Sequence, residues 1–163
     1  MESVYLDSVK ISEVIVQPDD IFQICNVLAM AGWLALLVSP FFPKLADGVA
    51  GLAIPVLLAV AYAGLILAFW SRAEGGFDTL PSVMQLFTQP EVALAGWIHY
   101  LAFDLFVGAW EVRTARAERI PFLIVIPCLA LTFLFGPAGY LAFTALRAAR
   151  AAIPATSQAG VAQ

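Results

Sequence analysis

Charged residues are scarce in this chain, and their scarcity excludes most classes of soluble protein. Asp, Glu, Lys and Arg make up only 12% of the 163 residues, whereas 62% are hydrophobic. Soluble domains carry about 25% charged residues, and a globule of this size cannot bury so much apolar surface. The composition therefore predicts an integral membrane protein. No basic cluster typical of DNA- or RNA-binding proteins is present, so we expect no nucleic-acid partner.

Histidine and cysteine are rare as well, which argues against most metal and redox chemistry. The chain has one His and two Cys. Cys25 and Cys128 lie in separate apolar runs, without CxxC spacing or a nearby His, so we expect them to be packing residues. The sequence also lacks a phosphate-binding glycine loop and a Ser–His pair at a recognisable spacing. We therefore expect neither a metal nor a cofactor.

Four long apolar stretches dominate what is present. They cover residues 21–41, 49–70, 91–110 and 121–146, each near the ~20 residues that a membrane-spanning helix needs. These stretches predict an all-α, antiparallel four-helix bundle with both termini on the same side of the membrane. The motif "FGP" at 135–137 predicts a kink in the fourth helix.

The segments outside the apolar stretches complete the predicted organisation. A polar or interfacial segment, 1–20, precedes a transmembrane domain, 21–146, and a flexible tail, 147–163, follows it. Because the first twenty residues lack the basic start of a cleaved secretory signal, we expect the first span to remain in the mature protein. We expect the chain in a bacterial inner (cytoplasmic) membrane, and the sequence leaves open whether it forms homo- or hetero-oligomers.

The basic residues do not decide the orientation of a four-span chain. In that topology four cations fall on each side, so the positive-inside count is a tie. The dense cluster in the third loop favours placing that loop in the cytoplasm. One side would carry Lys44, Arg113, Arg116 and Arg119, and the other Lys10, Arg72, Arg147 and Arg150.

The third stretch, "GWIHYLAFDLFVGAWEVR", contains three ionisable side chains in a segment suited to lipid. At a rise of 1.5 Å per residue, His99 lies roughly 12 Å from the start at Glu91, close to mid-membrane. Asp104 lies roughly 10 Å from the opposite interface, and Glu111 lies at that interface. Asp104 and Glu111 are seven residues apart and share one face, whereas His99 points about 140° away. A carboxyl at such a depth costs ~2.5–3.5 kcal/mol on insertion scales, so Asp104 is the strongest functional candidate.

Other polar and aromatic side chains are placed at similar depths. Trp97 and Tyr100 share the face of Asp104, and Asn26 and Tyr62 lie near the level of His99. Hydrogen bonding between helices is the common role of such residues, and it remains an alternative for them and for His99. Cofactor-free acid–base chemistry by a desolvated carboxyl remains open to the chain.

A family resemblance rests on the run "GGFDTLPSVMQLF…GWIHYLAFDLFVGAWEVR" and on "IPFLIVIPCLALTFLFGPAGYL". These motifs, with the spacing of Phe22, Asn26, Gly32 and Trp33, resemble the ABA4-like family of small membrane proteins over about residues 22–146. Plant members are linked to the formation of neoxanthin, a xanthophyll. The resemblance implies four spans and an apolar polyene or terpenoid ligand.

The resemblance also implies a reaction in which an acid opens a 5,6-epoxide and a base removes a chain proton to leave an allene. We predict Asp104 and His99 as the catalytic acid and base, without assigning which is which. Predicted substrate-binding residues are Asn26, Tyr62, Trp97, Tyr100, Glu111 and Arg113, with Asn26 or Tyr62 positioning the ligand. A non-catalytic pigment- or lipid-binding protein or accessory subunit is the main alternative, and a small transporter or proton channel is a third.

Overall fold

The computed structural model describes residues 17–152, and within this range the chain forms helices and no strand. The predicted all-α class is therefore confirmed. The helices are α1 (Pro18–Leu37), α2 (Pro43–Gly48), α3 (Ile54–Phe69), α4 (Leu80–Leu86), α5 (Pro90–Ala117), α6 (Phe122–Phe135) and α7 (Pro137–Ala152). A π-helical turn, Val49–Ala53, joins α2 to α3, and a 3₁₀ turn, Trp70–Arg72, extends α3.

Prolines mark where several helices begin. Pro18, Pro43, Pro90 and Pro137 each occupy a first helical position, where the missing N–H costs nothing because it would have no intrahelical partner. Pro55 has a different effect, because it lies inside the continuous helix and cannot donate a bond to the preceding turn. The π-helical turn directly before it accommodates that loss.

Three helices are long and apolar enough to cross a membrane: Pro18–Leu37, Pro43–Arg72 and Pro90–Ala117. Large apolar side chains such as Val27, Leu34 and Leu67 point outward on these helices. An outward apolar surface is what contact with lipid requires, so the helices indicate a membrane protein. These helices correspond to the first three predicted spans.

Helix α5 is the centre of the fold and packs against α1, α3 and α6. It runs parallel to α1, because successive residues of α1 meet residues progressively further along α5. Gly32 of α1 packs on Leu105, where an added Cβ would lie 2.5 Å from the leucine. Trp33 packs on Gly108, where an added Cβ would lie 2.8 Å from the ring. It runs antiparallel to α3, since Tyr62 meets His99 near the start of α5 and Gly51 meets Ala109 further along. Small residues thus allow close helix packing, as expected within membranes.

Helices α6 and α7 form a hairpin rather than one span. Helix α6 has 14 residues, which is about 21 Å, shorter than the ~30 Å hydrocarbon core of a bilayer. It ends at Gly136, whose φ of 35° reverses the chain beside Asp104, at the midpoint of α5. Helix α7 then returns toward the end of α5, where Arg147 forms an ion pair with Glu118.

The predicted fourth span, 121–146, is therefore wrong as a continuous helix, and the four-span antiparallel bundle is not confirmed. The kink predicted at "FGP" is a full reversal. The prediction that both termini share one side is also wrong for the described ends, because Pro18 packs near Pro90 whereas Arg147 contacts Glu118. Most of the predicted N-terminal segment and C-terminal tail lies outside the described residues.

Both cysteines are buried and free, as their predicted packing role requires. Cys25 lies on the inner face of α1, and Cys128 lies on the face of α6 that meets α5. They belong to one apolar core that extends over α1, α3, α5 and α6 and ends at Phe143 of α7.

Candidate functional site

One face of α5 carries a row of polar side chains toward α6 and α7. Tyr100, Asp104 and Glu111 occupy this face because their spacings of four and seven residues return to the same side of a helix. The shared face of Asp104 and Glu111 was predicted from sequence and is confirmed. We refer to Tyr100, Asp104 and Glu111 as the polar row.

Asp104 lies where the hairpin tip meets α5. Its side chain is buried, and the Oδ2 atom has no hydrogen-bond partner among the described residues. A Cβ placed on Gly136 would collide with Oδ1 and would lie 3.2 Å from Oδ2, so only a glycine lets the tip come this close. The Tyr100 hydroxyl, one turn earlier, is near enough to interact with the carboxyl. An unpaired polar atom is costly in this setting until a partner satisfies it.

Tyr100 joins Asp104 to an aromatic row that leads toward the start of α5. Its hydroxyl donates to the Phe133 carbonyl at 3.3 Å, near the end of α6, and its ring stacks on Trp97 at 5.4 Å. The Trp97 indole donates to Asn26 Oδ1 at 3.1 Å, and Asn26 in turn donates to the Phe22 carbonyl at 2.7 Å. Three predicted binding residues, Asn26, Trp97 and Tyr100, are thus brought together with Asp104.

Glu111 lies near the end of α5 and is completely buried, because α6 packs over it. The sequence predicted its level along the helix but not this burial. Thr132 donates a hydrogen bond to Oε1 at 2.8 Å, and Oε2 has no partner in the described part of the chain. The bond between Thr132 and Glu111 joins α6 to α5, and the predicted contact of Glu111 with substrate stays a prediction.

His99 faces away from the polar row, as predicted. Its ring is exposed, stacks on Phe103 at 4.6 Å and lies 5.6 Å from the Tyr62 ring. His99 and Tyr62 line a groove of about 250 Å³ between α3, α4 and α5, with aromatic walls that include Trp70. The two predicted catalytic residues therefore do not form one cluster.

Arg113 lies near the far end of α5, apart from Asp104. A Cβ on Gly51 would lie 2.6 Å from its guanidinium, so the glycine makes room for the arginine. Nearby, Arg147 donates to both Glu118 carboxylate oxygens from Nε at 2.9 Å, and its guanidinium lies over the Trp110 ring. These hydrogen bonds hold the pKa of Glu118 below its usual range.

Sequence reasoning missed Gly136 and the Phe133 carbonyl as parts of the site. The motif "FGP" could have indicated the turn, since a glycine before a proline permits a chain reversal. A helix with a break at mid-membrane is tolerated where it is buried in protein or lines a cavity. Here the break lies next to Asp104.

The arrangement offers groups that are capable of acid–base chemistry. Within residues 17–152, no group of three or more His, Cys, Asp and Glu side chains could hold a metal ion. Asp104 interacts with one neighbour, Tyr100, and one of its carboxyl oxygens, Oδ2, has no hydrogen-bond partner among the described residues. That buried oxygen retains an unused capacity for a proton or a hydrogen bond.

The family model of the ABA DEFICIENT 4-like proteins matches residues 20–143. The chain belongs to the ABA DEFICIENT 4-like family. This membership was predicted from sequence and is confirmed. The match covers the whole polar row and the hairpin tip of this ABA DEFICIENT 4-like chain, from α1 to Phe143. Comparison with curated proteins and with solved structures gave no match.

Proposed function

We propose that this protein binds a carotenoid or related terpenoid within the membrane and isomerises it by acid–base chemistry at Asp104. The observation that carries the proposal is the buried Asp104 carboxyl, with a free oxygen, at the point where the α6–α7 hairpin reverses. Family membership supports the same class of ligand.

The aromatic row suits a long apolar ligand with a polar end group. Phe22 and Trp97 are each about 40% exposed, so part of this surface is open to lipid, whereas Asp104 is only 8% exposed. A polyene lying against the row would bring its end group toward Asp104. Tyr100, already directed to Asp104 and to the hairpin tip, would orient that group.

A single carboxyl is sufficient for the proposed reaction on an epoxide. The neutral acid donates its proton to the epoxide oxygen, and the C–O bond on the polyene side breaks. The oxygen stays on the ring as a hydroxyl, and the resulting carboxylate removes a proton from the first chain carbon to leave an allene. The proton count balances and the product has the mass of the substrate. In this scheme His99 is not required, because it faces the other groove.

The test is carotenoid profiling by chromatography and mass spectrometry in a host that makes several carotenoids, including a 5,6-epoxide. We expect the unaltered chain to produce a new isomer of unchanged mass and Asp104→Asn to reduce it by at least about 100-fold, as the loss of an acid–base group does. Asp78→Asn is the matched control, because Asp78 is exposed at the end of the molecule far from Asp104.

Two results would contradict the proposal in different ways. An unchanged profile with folded protein would argue against isomerisation of these substrates. Equal conversion by Asp104→Asn would remove Asp104 from the reaction. His99→Gln distinguishes the scheme that uses Asp104 alone from the scheme that uses both Asp104 and His99. Loss of the isomeric product in that variant would support the two-residue scheme.

A binding role without chemistry is the second candidate, and a specific groove favours it. The groove between α3 and α5 has a volume of about 290 Å³ and an apolar lining that includes Pro55, Phe103 and Phe106. Pigment that co-purifies with the protein and is retained by Asp104→Asn would support this role. A proton leak in vesicles that Asp104→Asn abolishes would instead favour transport, since transporters also break helices at mid-membrane.

A further inference from the structure

Apart from the buried Asp104 and Glu111, the charged side chains of the described chain divide between its two ends. One end, which we name the basic end, carries six cations and two carboxylates, which gives a net charge of +4. At the opposite end one cation, Arg72, accompanies five carboxylates, a net charge of −4. The basic end comprises Lys44, Asp47, Arg113, Arg116, Glu118, Arg119, Arg147 and Arg150.

The hairpin creates this asymmetry. Because α7 turns back at Gly136, Arg147 reaches Glu118, and Arg150 lies within electrostatic reach of the same carboxylate. A continuous fourth span would have carried both arginines to the other side. The basic end therefore gains two cations from the reversal.

Much of this positive charge is not neutralised within the protein. Arg116 pairs with Asp47 at 2.7 Å, and Arg147 pairs with Glu118. Among the described residues, the other four cations of the basic end form no ion pair. They are Lys44, Arg113, Arg119 and Arg150.

Apolar side chains beside these cations indicate that the surface lies at a lipid boundary. Phe41, Phe42 and Leu45 are 79%, 60% and 51% exposed and surround Lys44 in sequence. Exposed apolar side chains of this kind suit the hydrocarbon boundary of a membrane, where the long Lys44 side chain can extend toward the headgroups.

A cavity of about 220 Å³ opens at the basic end between the α1–α2 and α5–α6 connections. Ser39 and Arg116 line it, together with Pro40, Ile120 and Phe122. Ser39 is 4% exposed, and its hydroxyl oxygen has no hydrogen-bond partner in the described part of the chain. A phosphate group could accept from this hydroxyl, and the apolar walls suit the ester carbons beside it.

We propose that the basic end binds the headgroups of anionic phospholipids. The cations attract the negative phosphate, the exposed aromatics place the surface at headgroup depth, and the cavity at Ser39 accepts one phosphate. This inference is independent of the carotenoid proposal, because it uses none of the polar row.

The experiment titrates short-chain phosphatidylglycerol into the full chain purified in a neutral detergent, with phosphatidylcholine of the same chain length as the zwitterionic comparison. The dissociation constant is read from the rise in thermal midpoint and by native mass spectrometry. We expect saturable binding of phosphatidylglycerol only, weakened by high salt. Lys44→Gln/Arg119→Gln should weaken it about five-fold per charge removed.

Arg72→Gln is the matched control, since it removes one cation from the opposite end and should leave the dissociation constant unchanged. The altered residues Lys44 and Arg119 form no side-chain hydrogen bond or ion pair among the described residues, so the double variant is expected to fold. Equal affinity in the double variant, or equal weakening in Arg72→Gln, would overturn the proposal. A midpoint rise produced by inorganic phosphate alone would assign the site to free phosphate and overturn the lipid assignment.

Discussion

Glu111 shows how far a single side chain's position depends on its distant neighbours. Its place on the face of Asp104 follows from a spacing of seven residues, which the sequence displays. Its complete burial cannot be read from that spacing, because α6 packs over the side chain and Thr132 donates the hydrogen bond. The partner of Asp104 is unpredictable for the same reason, since Gly136 lies 32 positions later in the chain.

The bond between Thr132 and Glu111 gives a prediction at the residue scale. Thr132→Val keeps the shape but removes the donor, which leaves Glu111 without its hydrogen bond. We expect a loss of about 1–2 kcal/mol in the free energy of unfolding, measured by denaturant titration in micelles. Thr132→Ser keeps the hydroxyl and should lose less. A Val variant as stable as the Ser variant would mean that the hydrogen bond contributes nothing.

Among the elements, the α6–α7 hairpin is the one that sequence analysis described least well. Residues 121–146 are long and apolar enough for a span, so hydropathy alone cannot distinguish a kinked helix from a reversal. The deciding feature is local: Gly136 has a φ of 35°, and Pro137 starts a new helix. The three other spans have no such break, and sequence predicted them within several residues.

Gly136→Ala tests the reversal at the scale of the element. The new Cβ would be held at positive φ and would collide with the Asp104 carboxyl, so the hairpin must shift. We expect the thermal midpoint in detergent to fall, with a cost of more than about 1 kcal/mol.

Gly64→Ala is its matched control, because a Cβ on that α3 glycine meets nothing within 4 Å. An added methyl in an open helical position should leave stability unchanged or raise it by up to about 1 kcal/mol. Equal midpoints for the two alanine variants would argue that the turn at Gly136 is not constrained by Asp104.

For the whole molecule, the hairpin changes the count of basic residues on the two sides, which the sequence left as a tie. With Arg147 and Arg150 moved to the side of the third loop, that side holds six of the seven described cations. The positive-inside rule therefore predicts that the basic end faces the cytoplasm and that the end with Pro18 lies on the other side. The preference for a cytoplasmic third loop agrees with this count.

Single-cysteine labelling tests this topology. In spheroplasts, a membrane-impermeant maleimide should react with Phe77→Cys, and with Ala117→Cys and Ala148→Cys only after permeabilisation. All three positions are exposed, whereas the native Cys25 and Cys128 are buried. Labelling of Ala148→Cys together with Phe77→Cys would instead support a continuous fourth span.

The hairpin has a consequence for how the chain enters the bilayer during synthesis. Helices α6 and α7 enter and leave the bilayer through the same leaflet, as a re-entrant hairpin. Arg147 and Arg150 therefore do not have to cross the hydrocarbon core. Each would face a barrier of ~2.5–3.5 kcal/mol at mid-depth on insertion scales. Once α5 is in place, Asp104 and Glu111 of its polar row can contact the incoming hairpin. In the predicted orientation, the hairpin can then be inserted last, as one unit, from the cytoplasmic side.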